Sequence, residues 1–175
     1  FACFDPTLYD RDKARDALGI GGDKIVVGFV GRLDRCKGAD LLVNAAAILC
    51  KKSEQYRFVI IGEGPQRKQL ERLALRLGLK EKIVFTGLCK NPPELMRAFD
   101  IAVIPSRREA FGIAALEFMR MKIPVVASSA GGLVELVQHE QTGILLDELN
   151  AENLAGAVDR LVCDSSLREN LINKA

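Results

Sequence analysis

Two carboxylates and two cations stand where they could hold a ligand. Glu109 closes a polar loop, Ser106–Arg107–Arg108–Glu109, that follows the apolar run Ile101 to Ile104 and Pro105. Glu117 comes after seven intervening residues, inside the apolar run IAALEFM. Just ahead of a helix the backbone N–H groups lack partners and favour an anion, which is Glu109's place. Ile113, Ala114, Ala115, Leu116, Phe118 and Met119 leave no solvated face in the first two turns, so the helix is expected to be buried all round. A carboxylate buried there without donors costs several kcal/mol, so Glu117 needs partners. Glu109 by itself also fits ordinary helix capping. Glu117 also fits a structural ion pair with a distant Lys or Arg.

The cations lie in GRLDRCKG, Gly31 to Gly38, between an apolar run and a helix. Arg32 and Lys37 in such a loop can cradle an anion, although a solvated basic loop would read the same way. The loop is not a dinucleotide fingerprint, having no G-x-G-x-x-G, and not a Walker loop, having no Ser or Thr beside its Lys. Basic groups for phosphate and carboxylates for hydroxyls, on one edge, together describe a site for a nucleotide sugar. Asp10–Arg11–Asp12 has the D-x-D form of metal-dependent sugar transferases. It precedes the first strand, far from that edge, and reads as a solvated helix face rather than a metal site.

The elements that must position these groups alternate. Strands are expected at Lys24–Val30, Arg57–Gly62, Ile83–Gly87, Ile101–Ile104, Pro124–Ser128 and Gly143–Leu146. Helices are expected at Arg11–Leu18, Ala39–Lys52, Gln66–Leu77, Pro92–Ala98, from Ile113, at Leu133–Gln138, Ala151–Cys163 and Ser166–Asn173, with Pro65 at the first helical position of the third. Continuous apolar strands alternating with helices specify an α/β, Rossmann-like three-layer αβα domain with a six-stranded parallel sheet, expected in the order 3-2-1-4-5-6. Ligands of such sheets bind beyond the carboxyl ends of the strands, near the switch in strand order. The loops there are Gly31–Gly38, Gly62–Pro65, Gly87–Asn91, Pro105–Gly112 and Ser128–Gly132.

Bulk composition narrows the function classes. The 175 residues amount to one domain, and 49% hydrophobic content excludes disorder. A formal charge of +2 gives no case for a nucleic-acid partner. Cys3, Cys36, Cys50, Cys89 and Cys163 are scattered, with one His in the chain, so neither a zinc site nor a disulfide framework follows and free thiols are expected. No apolar run reaches membrane-spanning length. FACFDPTLYDRDKARDALGI reads as a linker, which makes residues 1–23 a leading segment, 24–175 the ligand-binding domain, and the chain a fragment of a longer protein.

GRLDRCKGADLL, VIIGEGP, IVFTG, PSRREAFGIAALEFM and PVVASSAGGLVELV, in this order, resemble the C-terminal, donor-binding domain of retaining glycosyltransferases of family 4 (group 1), which have the two-domain GT-B architecture. The resemblance covers the chain from about Lys24 onward, and Glu109 and Glu117 match the family's E-x7-E. It implies that Arg32 and Lys37 hold the donor's diphosphate beside Gly31. It implies that Glu109 holds sugar hydroxyls, and that the backbone N–H groups of Ala110, Phe111 and Gly112 meet sugar and phosphate. Glu117 would accept from the ribose, and Leu88 and Cys89 would lie beside the base. Arg32, Lys37 and Glu109 are thus the implied catalytic groups. Ala110 departs from the Gly that the family often carries there, which touches sugar placement if φ is positive.

The resemblance further implies a metal-independent transfer to a saccharide or lipid hydroxyl, with a nucleotide sugar as donor and no cofactor. The partner would be an N-terminal acceptor domain outside this chain, and the location cytoplasmic or peripheral at a membrane through that domain. A nucleotide-sugar epimerase domain of the same architecture, or a non-catalytic nucleotide-sugar-binding module, are the alternatives. The E-x7-E with the basic loop favours the transferase.

Overall fold

A computed structural model describes residues 2–175. Six strands form one parallel sheet: β1 (Ile25–Val30), β2 (Tyr56–Ile61), β3 (Ile83–Gly87), β4 (Ile101–Ile104), β5 (Val125–Ser128) and β6 (Ile144–Leu146). Their order is β3-β2-β1-β4-β5-β6, as expected from the alternation. β1 runs in register with β2 from Ile25 opposite Tyr56 to Val30 opposite Ile61, and with β4 from Val27 opposite Ile101. The central strands are buried on both faces, which is why they read as unbroken apolar runs rather than as alternating ones.

Helices cover both faces. α2 (Ala39–Lys52), α3 (Arg67–Arg76), α7 (Ala151–Cys163) and α8 (Ser165–Lys174) close one side around Leu42, Leu49, Phe58 and Leu161. α1 (Arg11–Ala17), α4 (Pro92–Met96), α5 (Ile113–Arg120) and α6 (Leu133–Leu136) close the other around Val26, Phe99, Phe118 and Leu133. Gly28, in mid-strand, makes room for this second layer: a Cβ there would stand 1.9 Å from the Phe99 ring.

Several expectations need revision. Pro65 lies in the turn before α3, which begins at Arg67, so it is not the first helical residue. α5 is not buried all round. Ile113 is 54% exposed, and Ala114, Leu116 and Glu117 are half-buried, because the helix lies on the sheet by one face and presents its first turn to the open edge. The residues before Lys24, expected as a linker, carry a 3-10 turn (Pro6–Leu8) and α1, and Ala14 and Ile20 join the core. Within Asp10–Arg11–Asp12, Asp10 caps α1 and Asp12 is exposed, whereas Arg11 turns inward and bonds Asp100 at 2.5 Å. The five cysteines are free thiols.

Candidate functional site

The site forms where the sheet changes direction. From β1 the chain builds outward through β2 and β3, then returns to place β4 on the other side of β1. The loops leaving β1 and β4 therefore meet at the carboxyl edge, the position where open α/β sheets bind ligands. Their contact needs Gly38, which has φ +70 and would bring a Cβ to 1.9 Å from the Pro105 carbonyl oxygen. The approach joins the two charged groups singled out from the sequence. Lys37 Nζ donates to Glu109 Oε2 at 2.7 Å, and Ser106 Oγ donates to the same oxygen at 3.1 Å. The Glu109 side chain is only 9% exposed, yet its Oε1 receives no hydrogen bond among the described residues. An ammonium carries three donor protons, so Lys37 keeps donors for a second acceptor.

A third loop holds the second in place. Ser128 Oγ donates to the Ser106 carbonyl at 2.6 Å. Gly131, with φ +52, lies so close that an added Cβ would be 1.7 Å from the Glu109 carbonyl oxygen. This packing leaves the backbone N–H groups of Ala110, Phe111 and Gly112 without acceptors among the described residues. Gly112 caps α5 with φ +92 and no side-chain oxygen, so the N–H groups of Ile113 and Ala114 add to the set, while Ala115 N–H donates back to the Gly112 carbonyl at 2.9 Å. Ala110 is outside the left-handed region, so its side chain imposes no strain on the backbone there.

Beside this point opens a cleft of about 500 Å³ lined by Val30, Gly31, Arg32, Ile61, Gly62, Glu63, Gly64, Leu88, Cys89 and Pro92. Here too glycine sets the approach: a Cβ on Gly62 would meet the Gly31 carbonyl oxygen at 1.9 Å, and one on Gly64 the Leu33 carbonyl oxygen at 2.4 Å. Leu33 N–H donates to the Glu63 carbonyl at 2.8 Å, and Gln66 N–H to the Leu33 carbonyl at 2.9 Å, so the two loops brace each other. Arg32 stands at the rim, its side chain 72% exposed, with its Nε 3.5 Å from Asp34 Oδ2 and no acceptor for its terminal nitrogens among the described residues. Leu88 is largely exposed at the mouth.

Glu117 is one helical turn beyond Ile113 on α5. No hydrogen bond or ion pair from any described residue reaches its carboxylate, so no described Lys or Arg serves as the structural ion-pair partner. Burial pushes its carboxyl above the ordinary range.

The structure thus gathers Gly31, Arg32, Leu88 and Cys89 in one cleft and pairs Lys37 with Glu109. It sets Ala110, Phe111, Gly112 and Glu117 on the adjoining loop and helix. Sequence reasoning did not single out Ser106, Ser128, Gly62, Gly64 or Gly131. The glycines carried a readable signal, clustering just after strands, whereas Ser106 and Ser128 carried none, serine being common in loops. Among the described residues no group of three His, Cys, Asp or Glu side chains could hold a metal ion, and no helix is long and apolar enough to cross a membrane.

Fold and site together define a parallel α/β domain with a charged cleft at its switch point. The family described as "Glycosyl transferases group 1" matches residues 10–175, and the chain belongs to it. An uncharacterized glycosyltransferase of Methanocaldococcus jannaschii is 39% identical over 98% of this chain and 45% of its own length. The crystal structure of the C-terminal domain of a glycosyl transferase group 1 family protein from Francisella tularensis is 31% identical, with a TM-score of 0.84 over 97% of this chain and 93% of that one. Anabaena HepE in complex with UDP-glucose is 30% identical, with a TM-score of 0.88 over 97% of this chain and 49% of that one. The chain spans less than half the length of the curated relatives it matches.

Proposed function

We propose that this chain is the donor half of a retaining, family 4 glycosyltransferase, which takes a sugar from a nucleotide diphosphate sugar and passes it to an acceptor hydroxyl of a saccharide or lipid. The observation that carries the reading is the Lys37–Glu109 pair, 2.7 Å apart at the switch point and flanked by three acceptorless backbone N–H groups. Lys37, held by Glu109 with one proton, turns its others to the diphosphate. Arg32 presents its guanidinium fork to the same phosphates from the cleft rim. Glu109 accepts from sugar hydroxyls through its free oxygen. Ala110, Phe111 and Gly112 offer N–H groups to sugar and phosphate, and Glu117 accepts from the ribose. The base lies against Leu88 and Cys89.

In the transfer, the bond from the anomeric carbon to the diphosphate oxygen breaks with its electron pair going to the diphosphate, one to the acceptor oxygen forms, and the acceptor's proton passes to the departing diphosphate. Charge developing on the leaving diphosphate falls beside Lys37 and Arg32, the place where fixed cations lower a barrier. This assigns to side chains the role a metal plays elsewhere, needs no cofactor, and leaves no carboxylate as a nucleophile. The acceptor is held by a second, N-terminal domain, which also supplies any peripheral attachment to a membrane of an otherwise cytoplasmic enzyme.

Calorimetry of this chain and of the full-length protein against UDP, GDP, ADP and their sugar conjugates tests the reading. At least one diphosphate is expected to bind both forms, more weakly to this chain, where one side of the cleft is open. Donor and acceptor together are expected to react only with the full-length protein, because positioning of the acceptor supplies much of the rate. Binding of no diphosphate to either form would overturn the assignment, and equal turnover by this chain alone would overturn the division between halves.

A further inference from the structure

The two loops that bring Lys37 to Glu109 are clamped by a residue that touches neither group's charged end. Arg107 stands two positions before Glu109, and its guanidinium meets Asp40 fork to fork: Nη1 to Oδ1 at 2.7 Å and Nη2 to Oδ2 at 2.7 Å. Nη1 also donates to the Arg35 carbonyl at 3.0 Å, and the backbone N–H of Arg107 donates to the Cys36 carbonyl at 2.7 Å. Arg108 N–H adds a longer bond to that carbonyl, 3.3 Å. One residue of the β4–α5 loop therefore holds the β1–α2 loop at Arg35 and Cys36 and the first turn of α2 at Asp40, on both sides of Lys37.

Within its own loop Lys37 is held at the backbone by Asp34, whose Oδ1 accepts from the Cys36 N–H at 2.9 Å and the Lys37 N–H at 3.2 Å, and Arg107 adds the tie to the opposite loop. α2 starts at Gly38 without a side-chain cap, so the phosphate loop enters the helix through a residue with no Cβ. Asp40, in the first turn of α2, would stand as an uncompensated negative charge close to an anion site if Arg107 did not neutralise it. A planar fork fixes both distance and orientation, which an ammonium cannot do.

We infer that Arg107, through its bidentate pair with Asp40, is a positioning residue that holds Lys37 against the donor's diphosphate. The inference rests on the donor-site reading above and adds a coupling between its phosphate and sugar loops.

The test measures UDP and GDP binding to this chain by calorimetry, beside uridine and guanosine, with thermal unfolding on the same samples. Arg107→Met is expected to weaken the diphosphate about tenfold, the scale of one charge-assisted hydrogen bond. The nucleoside is expected to keep its affinity. Arg107→Lys, which retains the charge without the fork, is expected to stay several-fold weak. Asp40→Asn is expected to match Arg107→Met, and the double variant to be no worse than the weaker single one, because a clamp is lost once. Wild-type diphosphate affinity in Arg107→Met, full recovery in Arg107→Lys, or additive losses in the double variant would overturn the inference. An equal fall for nucleoside and diphosphate, tracking a loss of thermal stability, would make the pair merely structural and overturn it as well. Lys37→Ala is the control: if it leaves UDP and GDP binding untouched, the phosphate assignment itself fails, whatever the Arg107 variants do.

Discussion

The two edges of the sheet treat part-buried carboxylates in opposite ways. At the amino edge Asp100 is saturated: Arg11 donates to Oδ1 at 2.5 Å, while Arg15 at 2.8 Å and the Val26 N–H at 2.7 Å donate to Oδ2. The Arg15 side chain is 4% exposed and reaches the Gly22 carbonyl as well, at 2.7 Å. At the carboxyl edge, among the described residues, no donor reaches Glu117, Glu109 uses one oxygen, and the N–H groups of Ala110 to Gly112 find no acceptor. Among the helices that follow strands, α2 to α6 have no side-chain cap, while α7, after β6, is capped by Asn150, as α1 and α8 are by Asp10 and Asp164. Buried polar groups in folded proteins are satisfied as a rule. Asp100, with both oxygens bonded, holds the fold together, whereas Glu109 and Glu117 keep oxygens that no described donor reaches.

The largest expected effect breaks the amino edge. Asp100→Ala leaves Arg15 buried without its anion and is expected to cost roughly 3 kcal/mol, the lower end of the range for breaking a buried pair since Asp100 is partly solvated. Thermal unfolding measures it, and nucleotide affinity is expected to be unchanged. A stable Asp100→Ala protein would show that the N-terminal helix is not fastened there.

The carboxyl edge is expected to respond in the reverse sense. Lys37→Ala or Arg32→Ala is expected to weaken a nucleoside diphosphate by about 1.5–3 kcal/mol, with little change in unfolding and less in nucleoside binding. If either variant instead lost stability as Asp100→Ala does, the contrast between edges would collapse.

The smallest and sharpest effect concerns the two carboxylates themselves. Glu117→Gln is expected to weaken the free nucleotide and the donor alike, whereas Glu109→Gln is expected to spare the nucleotide and impair only donor use. Because burial raises the Glu117 pKa in the fold, the native state holds that proton more tightly than the unfolded chain. Stability of the unliganded protein from this group is therefore present at low pH and declines as pH rises from the ordinary carboxyl value, 4.5, through the raised one. Unfolding followed against pH in Glu117→Gln is expected to lack that decline. A variant that loses stability at neutral pH would reveal a partner for Glu117 and remove it from the site.

Much of this was legible in the chain. Strand and helix types and their order follow from periodicity, which is a property of neighbouring residues. The parallel sheet follows from strands apolar on both faces, as in Ile101–Ile104 and Val125–Ser128. The candidate groups were legible because they sit in loops directly after strands, where Gly31, Gly38 and Gly112 mark close approach. The reach of α5's burial was misjudged because apolar composition does not say which face meets the sheet.

What the residues by themselves determined is therefore a ligand edge and the chemistry available on it. Tertiary structure alone decided which groups meet. Lys37 bonds Glu109 across 72 positions and Arg15 bonds Asp100 across 85. Both contacts exist because β4 lies beside β1, a pairing that depends on the whole order of strands. The lack of a donor to Glu117 among the described residues is decided in the same way. Whether a charge is satisfied depends on every group folded around it, and no local pattern carries that information.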